Sequence, residues 1–376
     1  KTVPAPRFEP PPPRAPVADP DLIRPDHFAG ELRPPEVLWL DRGECIDPEL
    51  TGLAHSLLAD LPDHAVFAYP VPGPLYRKLA AYLGLEPDRL LLTRGSDGAI
   101  KAVFETYVEP GDPVLAPRPT YQMYGVYARV FGARLTFVDY RMEDGRPHLT
   151  GAEIVAAIGD RRPKLVCLPN PDNPVGFAFA PDEMRAVVEA AGEAGALILV
   201  DEAYFPFHPH TVLPWIEEYG HLVVARSFSK AWGLAGLRLG FTAAQPAVTA
   251  MLHKVRTMVE ADGVSMALAA RWLDHEDAVN ASVERLKAGR AHFARAMQSL
   301  GFHAIDTPCN FVQVDFGDKR AAVEEALAGV ARYRVFRESI LAPFLRFTIT
   351  TPELFQPVID CIRRAAEDHE RNGDHP

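Results

Sequence analysis

The residues best suited to chemistry lie in one short stretch, Arg226-Ser-Phe-Ser-Lys230-Ala-Trp-Gly-Leu-Ala-Gly-Leu-Arg238, which follows the apolar run Leu222–Ala225. A lysine at the end of a buried strand is desolvated, loses its proton more easily, and can form a Schiff base with a carbonyl group. The hydroxyls of Ser227 and Ser229 and the guanidinium of Arg238 suit a phosphate monoester. The stretch therefore favours pyridoxal phosphate (PLP), which carries both groups. The alternative is an exposed lysine beside a glycine-rich turn, because short motifs recur by chance.

Composition narrows the class of protein. The 376 residues contain no apolar run near the roughly 18 residues that a membrane span requires. A net charge of −11 argues against a nucleic-acid partner, so an anionic substrate requires locally placed arginines. The four cysteines are widely spaced, and the proline-rich start lacks the apolar core of a signal peptide. We therefore expect a cytoplasmic protein with buried, reduced thiols.

Strand and helix patterns alternate through most of the chain. Residues 1–25 are rich in proline and predict an extended segment, either a disordered tail or an arm that embraces a second subunit. Apolar runs typical of buried strands, several with helical stretches between them, are Leu90–Leu92, Val114–Ala116, Leu135–Val138, Leu165–Leu168, Leu197–Val200, Leu222–Ala225 and Leu239–Thr242. This alternation predicts an α/β fold with a mostly parallel sheet and helices on both faces.

After Pro246 the pattern changes to long helices, at 247–260, 265–273 and 278–300, and then to short strands with helices at 320–331 and 352–371. The change predicts a second, smaller α+β domain. We therefore divide the chain into a proline-rich arm (1–25), an N-terminal part of the small domain (26–65), a large cofactor-binding domain (66–260) and the C-terminal small domain (261–376).

Polar motifs follow several of the predicted strands. Gly95-Ser-Asp-Gly98 opens a helix, where backbone amides and the helix dipole form an anion site. Asn170-Pro-Asp-Asn173 and Asp201-Glu-Ala-Tyr204 each end a strand, and Tyr121 lies just beyond another. Ligands of parallel α/β sheets bind beyond the carboxyl ends of the strands. We therefore expect these motifs and Lys230 to meet in one crevice.

The order and spacing of the motifs resemble those of the fold-type I PLP enzymes. The matching motifs are Asn170-Pro-x-Asn-Pro-x-Gly176, Asp201-Glu-Ala-Tyr204 and the Lys230 stretch. Together with Pro119-Thr-Tyr-Gln-Met-Tyr124, they are most similar to the histidinol-phosphate aminotransferase branch. The resemblance runs from about Tyr69 to Gly240 and, more weakly, to the region around Arg346.

The resemblance implies a role for each residue that contacts the cofactor ring. Lys230 would form the Schiff base and then move a proton between the substrate α-carbon and the cofactor C4′. Asp201 would keep the pyridine nitrogen protonated. Asn173 and Tyr204 would hydrogen-bond the ring oxygen, and Tyr121 would stack on the ring face. Tyr124 is assigned to packing.

The resemblance also implies phosphate and substrate contacts. The predicted phosphate ligands are Ser96, Asp97, Ser227, Ser229 and Arg238. Tyr69 resembles a tyrosine that reaches this phosphate from the neighbouring subunit, which implies a homodimer. Arg346 resembles an arginine that binds a substrate carboxylate, and Arg337, Arg334 or Arg42 would bind a second anion.

One stretch departs from the family pattern. Members of this branch usually carry an asparagine-rich turn near the N-terminus, whereas the matching stretch here is Leu40-Asp-Arg-Gly-Glu-Cys-Ile-Asp47. Arg42 either binds an anionic group of the substrate or pairs with Glu44. The run between Arg337 and Arg346 is also short. We therefore expect the substrate pocket to be remodelled for an acceptor other than histidinol phosphate.

Three functions are compatible with these residues. The preferred one is a PLP-dependent aminotransferase that moves an amino group from a donor such as glutamate to a small, possibly phosphorylated keto or aldehyde acceptor. The alternative on the same fold is a decarboxylase of a phosphorylated amino acid such as phosphoserine or phosphothreonine. A PLP-binding regulator is disfavoured because Lys230 and Asp201 are both retained.

Overall fold

The structure is a computed structural model that describes residues 11–24, 32–337 and 339–373. Its first elements lie outside the main sheet: the strand β1 (Leu38–Trp39) and the helices α1 (Pro48–Ala59), α2 (His64–Phe67) and α3 (Gly73–Leu83). Asp47 caps α1, because its side chain accepts a hydrogen bond from the amide of Glu49. Gly84 ends α3 in the left-handed conformation, with φ 68°.

The chain then alternates between strand and helix: β2 (Leu90–Thr93), α4 (Gly95–Tyr107), β3 (Pro113–Arg118), α5 (Met123–Phe131), β4 (Arg134–Asp139), β5 (Arg141–Glu143), β6 (Arg146–His148), α6 (Gly151–Arg161), β7 (Leu165–Pro169), α7 (Pro181–Glu193), β8 (Leu197–Asp201), β9 (Leu222–Ser227), β10 (Gly240–Ala244) and α8 (Pro246–Val255). Seven strands form one sheet in the order β2-β10-β9-β8-β7-β3-β4. Only β10 runs antiparallel to its neighbours among these described strands. Apolar clusters cover both faces of the sheet, so the predicted α/β fold is confirmed.

The remaining elements are α9 (Gly263–Trp272), α10 (Glu276–Ser299), β11 (His303–Asp306), β12 (Phe311–Asp315), α11 (Arg320–Leu327), β13 (Ala331–Arg332), β14 (Arg334–Val335), β15 (Phe344–Thr348) and α12 (Pro352–Gly373). A second, antiparallel sheet has the order β11-β12-β15-β14. β1 pairs in parallel with β13, and Ile46 bridges to Thr350, so the chain around α1 joins these C-terminal elements. The domain boundaries at residues 65 and 260 remain a prediction.

Two helices are shorter than the sequence predicts. The helix expected at 247–260 ends at Val255, and Arg256 after it is extended, with ψ 155°. The Arg256 guanidinium donates to the carbonyls of Thr257 and Met258, and such local side-chain bonds compete with helix formation. The helix expected at 320–331 ends at Leu327, because Gly329 is left-handed with φ 79°.

The described part of the proline-rich segment, residues 11–24, packs on its own chain. Asp19 forms an ion pair of 3.1 Å with Arg129 of α5, and Nη1 of Arg24 lies 3.3 Å from Sδ of Met123. Residues 1–10 and 25 of the predicted arm lie outside the described residues. The segment reaches the helix that follows Tyr121, one of the residues predicted to contact the cofactor.

Gly289 provides a test of the packing between α10 and the end of the second sheet. A Cβ at this position would lie 1.7 Å from the carbonyl oxygen of Thr350. We expect Gly289→Ala to destabilise the protein by about 1–3 kcal/mol, as overpacking does. The matched control is Gly159→Ala in α6, where no atom lies within 4 Å of the Cβ position.

In this control the alanine should stabilise the helix by about 0.5–1 kcal/mol. Urea unfolding of both variants measures the difference. Equal unfolding midpoints for the two variants would contradict the packing described for α10.

Candidate active site

A cavity of about 140 Å³ lies beyond the carboxyl ends of β7, β8 and β9, beside the N-terminus of α4. Ligands of open α/β sheets bind at this position. The cavity is lined by Gly95, Ser96, Asp97, Tyr121, Pro169, Pro171, Asn173, Asp201, Ala203, Tyr204, Ser227, Ser229, Lys230 and Arg238. The structure therefore brings together all the residues predicted to contact the cofactor except Tyr69.

Lys230 lies just after β9 and is held by the main chain of a distant segment. Its Nζ donates to the carbonyl oxygens of Arg42 (3.2 Å) and Gly43 (3.0 Å). Burial, followed by the charge of Arg346, lowers the pKa of Lys230 to about 8. Gly43 is left-handed with φ 67°, and a Cβ there would lie 3.1 Å from the Lys230 amine. The close contact at Gly43 helps to exclude water from an amine that has become easier to deprotonate.

Asp201 ends β8 at another wall of the cavity. Its Oδ1 accepts from the amide of Ala203 (3.0 Å), and its Oδ2 accepts from the hydroxyl of Tyr124 (3.3 Å). Burial raises the pKa of Asp201 to about 7. A carboxyl group that is costly to ionise alone is well suited to pair with a cation that enters the cavity.

The assignment of Tyr124 to packing alone is incomplete. The side chain is fully buried, as packing requires, but its hydroxyl orients the Asp201 carboxyl group. Its position three residues after Tyr121 gives no helical signal, because Tyr121 lies before α5. The pairing with Asp201 itself depends on how α5 packs against β8.

The side of the cavity near α4 is suited to an anion. Ser96 and Asp97 lie in the first turn of α4, whose amides have no helical acceptor and whose dipole is positive at this end. Nη1 of Arg238 lies 3.4 Å from Oγ of Ser229, and the amide of Ser229 donates to Oγ of Ser227. A Cβ on Gly95 would lie 3.2 Å from Nη2 of Arg238. The guanidinium therefore approaches the helix start closely because residue 95 is glycine.

Arg346 lies behind Asn173 and does not itself line the cavity. Its Nη1 donates to Oδ1 of Asn173 (2.6 Å), and its Nη2 donates to the carbonyl of Asp41 (3.0 Å). The side chain is buried and lies over the ring of Phe311, with Cζ 4.9 Å from the ring centroid. Its Nε has no hydrogen-bond partner within the described residues. A buried guanidinium with a free donor is well suited to receive a carboxylate.

Two other predicted residues lie away from the cavity lining. Tyr69 is 93% exposed, between α2 and α3. Arg337 is also exposed, after β14. Neither contacts the cavity within one chain.

The charged residues of segment 41–44 have different partners from those predicted. Glu44 accepts two hydrogen bonds from Arg33, at 2.6 and 2.8 Å. Nε of Arg42 lies 3.5 Å from the carboxylate of Asp41, and the Arg42 side chain is 61% exposed. Of the two alternatives for Arg42, pairing with Glu44 is not seen, because Arg33 occupies that carboxylate.

The described residues contain neither a metal site nor a membrane-spanning helix. No group of histidine, cysteine or acidic side chains there is arranged to hold a metal ion. The rings of His208 and His210 pack edge to face, with their centroids 5.2 Å apart. None of the helices in these ranges has the length and apolar composition to cross a membrane.

The residues of the cavity fit PLP. Lys230 supplies the amine for its aldehyde, the α4 side supplies donors for its phosphate, and Asp201 supplies a carboxylate for its ring nitrogen. Close approach of the main chain at the α4 side of the cavity depends on glycine. A Cβ on Gly240 would lie 2.6 Å from main-chain atoms of both Arg226 and Gly95. The strand after Arg238 therefore lies directly against the start of α4.

Comparison with known proteins agrees with this chemistry. Residues 41–362 match the family model for aminotransferase class I and II. The histidinol-phosphate aminotransferase of Streptomyces avermitilis is 33% identical over 303 residues, which cover 78% of this chain and 80% of that protein. The enzyme of the same name from Symbiobacterium thermophilum is 32% identical, covering 77% and 80% of the two chains.

A solved structure supports the same conclusion. The histidinol-phosphate aminotransferase of Sinorhizobium meliloti, in complex with pyridoxal 5′-phosphate, superposes with a TM-score of 0.74 at 26% identity. The superposition covers 88% of this chain and 91% of that one. The chain therefore belongs to the aminotransferase class I and II family and is a PLP-dependent aminotransferase.

Proposed function

We propose that this aminotransferase takes an amino group from an amino acid such as glutamate and delivers it to a small, phosphorylated keto or aldehyde acceptor. The observation that carries the proposal is the Lys230 amine, which lies in one cavity with Asp201 and a set of phosphate-binding donors. The decarboxylase alternative is not favoured, since the matching family and relatives are aminotransferases.

Lys230 is the proposed catalytic residue. It binds the cofactor through its amine until the amino group of the substrate replaces it. The released amine then moves a proton between the α-carbon of the substrate and C4′ of the cofactor. A pKa of about 8 supports both roles, because the amine alternates between its two protonation states near neutral pH. The bound cofactor supplies an electron-accepting ring for this transfer.

Asp201 is proposed to hold a proton on the pyridine nitrogen, with Tyr124 orienting its carboxylate. Asn173 and Tyr204 are proposed to donate to the ring oxygen, and Tyr121 to stack on the ring. Support for Asn173 comes from its bond to Arg346, which occupies Oδ1 and leaves the amide NH₂ for the cofactor. The proposed phosphate ligands are Ser96, Asp97, Ser227, Ser229 and Arg238.

Two anionic groups on the substrate are proposed from the arginines near Asn173. Arg346 is paired in register with Arg334 on β14, which places two like charges opposite each other. Such pairs destabilise a sheet, so a bound anion would relieve the repulsion. We assign the substrate carboxylate to Arg346 and a distal phosphate or carboxylate to Arg334 and Arg337. Segment 41–44, whose main-chain carbonyls contact Lys230, has charged side chains in place of the asparagine-rich turn, which supports an acceptor different from histidinol phosphate.

A homodimer is proposed as the working state. Val66, Phe67, Tyr69 and Val71 are apolar or aromatic side chains that are all more than 70% exposed, and Met258 is 91% exposed. Exposed apolar groups of this kind are typical of an interface. A second copy would bring Tyr69 to the phosphate of the neighbouring site. Four free cysteines, three of them buried, support a reducing compartment such as the cytoplasm.

Substitution of Lys230 tests the attachment of the cofactor. After borohydride reduction, mass spectrometry of the wild-type protein should find PLP covalently bound to the peptide that contains Lys230. We expect no bound PLP in Lys230→Ala and a loss of turnover of at least about 10²–10⁴-fold, the usual contribution of a proton-transferring group. Lys254→Ala, at an exposed lysine of α8, is the control. Covalent PLP in Lys230→Ala at the wild-type level would refute the assignment.

The pKa of Lys230 predicts how the rate of PLP capture depends on pH. Only the unprotonated amine attacks the aldehyde, so the capture rate of the apoenzyme should rise with pH and level off above about 8. An ordinary lysine would continue to gain reactivity up to its usual pKa of 10.5. Stopped-flow absorbance gives the rate at each pH. A rate that is still rising steeply at pH 10 would contradict the burial described for this amine.

A panel of amino donors tests the reaction and the role of Arg346. Adding glutamate to the PLP-loaded enzyme should bleach the yellow absorbance without release of carbon dioxide. Arg346→Gln should lower kcat/KM for glutamate by roughly 10–100-fold, because a hydrogen bond to a charged group is lost. Arg363→Gln, at a surface ion pair of α12, is the matched control. Carbon dioxide release from phosphoserine or phosphothreonine would instead favour the decarboxylase.

A further inference from the structure

We propose that Asp172 is a positioning residue that joins the two loops carrying Tyr121 and Asn173, and so sets the spacing between the stacking residue and the ring-oxygen donor. Asp172 has no role in the sequence motifs described above or in the proposed reaction. The inference rests on the proposed contacts of Tyr121 and Asn173 with the cofactor. We call the Thr120–Asp172 hydrogen bond the loop clip.

The loop clip joins the residues immediately before the two cofactor contacts. Oγ1 of Thr120 donates to Oδ1 of Asp172 at 2.7 Å, although the two residues are 52 positions apart in the chain. Thr120 directly precedes Tyr121, and Asp172 directly precedes Asn173. A change in this one bond is therefore transmitted to both side chains through a single peptide unit on each side.

The Asn173 loop is fixed at several other points, so the clip has a firm base. The amide of Asp172 donates to the carbonyl of Phe177, and the amide of Gly176 donates to the carbonyl of Asp172, each at 2.8 Å. Asn170 donates its amide to the carbonyl of Asp201 and accepts from the amide of Phe179, both at 2.9 Å. The loop that begins at Asn170 is thus attached to β8. Through the clip, the Tyr121 loop is aligned with the same strand.

A second hydroxyl completes the partners of the Asp172 carboxyl group. Tyr140, which follows β4, donates to Oδ2 at 3.2 Å, and its own amide donates to the carbonyl of Arg118. This bond reaches the other carboxyl oxygen of Asp172 and joins it to the residue after β4, not to Thr120. It therefore provides a contact of the same chemical type with a different structural consequence.

Asp172 makes these bonds without a cationic partner in the described part of the chain. The side chain is fully buried, and the groups that face it are Thr120, Tyr140, Asp201, Cys309 and the amide of Asn173. Burial raises the pKa of Asp172 well above its usual range. Burial therefore disfavours ionisation of the clip carboxyl group. A neutral group here avoids a second negative charge beside Asp201.

An asparagine substitution distinguishes shape from charge as the basis of the role. Asparagine has the shape of a neutral aspartic acid and still offers a carbonyl oxygen to Thr120, so Asp172→Asn should preserve the clip. Asp172→Ala removes it. Thr120→Val removes the hydroxyl at nearly constant volume and leaves Asp172 in place. Tyr140→Phe is the matched control, because it deletes the other hydroxyl bond and keeps the clip.

The test is the dissociation constant for PLP together with the circular dichroism of the bound PLP, measured on the full-length holoenzyme variants. The dichroic band reports the orientation of the cofactor ring. A general loss of stability would reduce the amount of folded protein but would leave this orientation unchanged in the molecules that stay folded. We expect Asp172→Ala and Thr120→Val to weaken PLP binding roughly 3- to 10-fold and to change the band alike. Asp172→Asn and Tyr140→Phe should both stay within about 2-fold of wild type.

Two results would overturn the proposal. One is a wild-type band and affinity in Thr120→Val. The other is an effect of Tyr140→Phe as large as that of Thr120→Val, which would assign the effect to burial of Asp172 and not to the join between loops. If Asp172→Ala does not fold, Thr120→Val still decides between these outcomes. Failure of the proposed function is a separate observation, since it would appear in the amino-donor assay of the wild-type enzyme and leave its PLP band in place.

Discussion

Desolvation of one amine is the constraint on which the rest of this site depends. Lys230 is useful only if its proton is easily lost, and water must therefore be kept from it. The chain achieves this with a segment that is remote in sequence, since the carbonyls of Arg42 and Gly43 cover the amine. Gly43 is in turn held by Asn310, which directly precedes β12, and by Thr348 of β15. Both sheets must be in place before the amine is shielded.

The buried acidic side chains around the cavity differ in how their charge is compensated. Glu202 is neutralised by Arg226, with 3.0 Å between the charged groups. Asp172 has only hydroxyl and amide partners, and burial raises its pKa. Asp201 is also left without a cation, and its hydrogen bonds come from Tyr124 and the amide of Ala203. Of three adjacent carboxyl groups, Asp201 is thus the one that lines the cavity and is ready to meet a positive charge.

The sequence predicts the groups of this site better than it predicts their pairings. Lys230, Asp201 and the serines could be found because their types and local spacing already express the chemistry. The bond from Tyr124 to Asp201 and the one from Thr120 to Asp172 depend on how distant strands lie side by side, which no local pattern contains. The bond between Arg33 and Glu44 could not be predicted for the same reason, since the two residues meet only in the folded chain. The predicted ends of two helices were also wrong. The helices end at Val255 and Leu327 because local side-chain bonds and a left-handed glycine outweigh helical periodicity.

The segment at Arg42 and Gly43 links the conformation of the protein to the protonation of the Lys230 amine. If the segment at Arg42 and Gly43 moved away, water would reach the amine and its pKa would return toward 10.5 from about 8. Between those two values an opening motion would then take up a proton, and closing would release it. Covering of this amine and release of its proton are therefore thermodynamically linked. Any ligand that favours the closed arrangement will bind with a heat that changes with the ionisation enthalpy of the buffer.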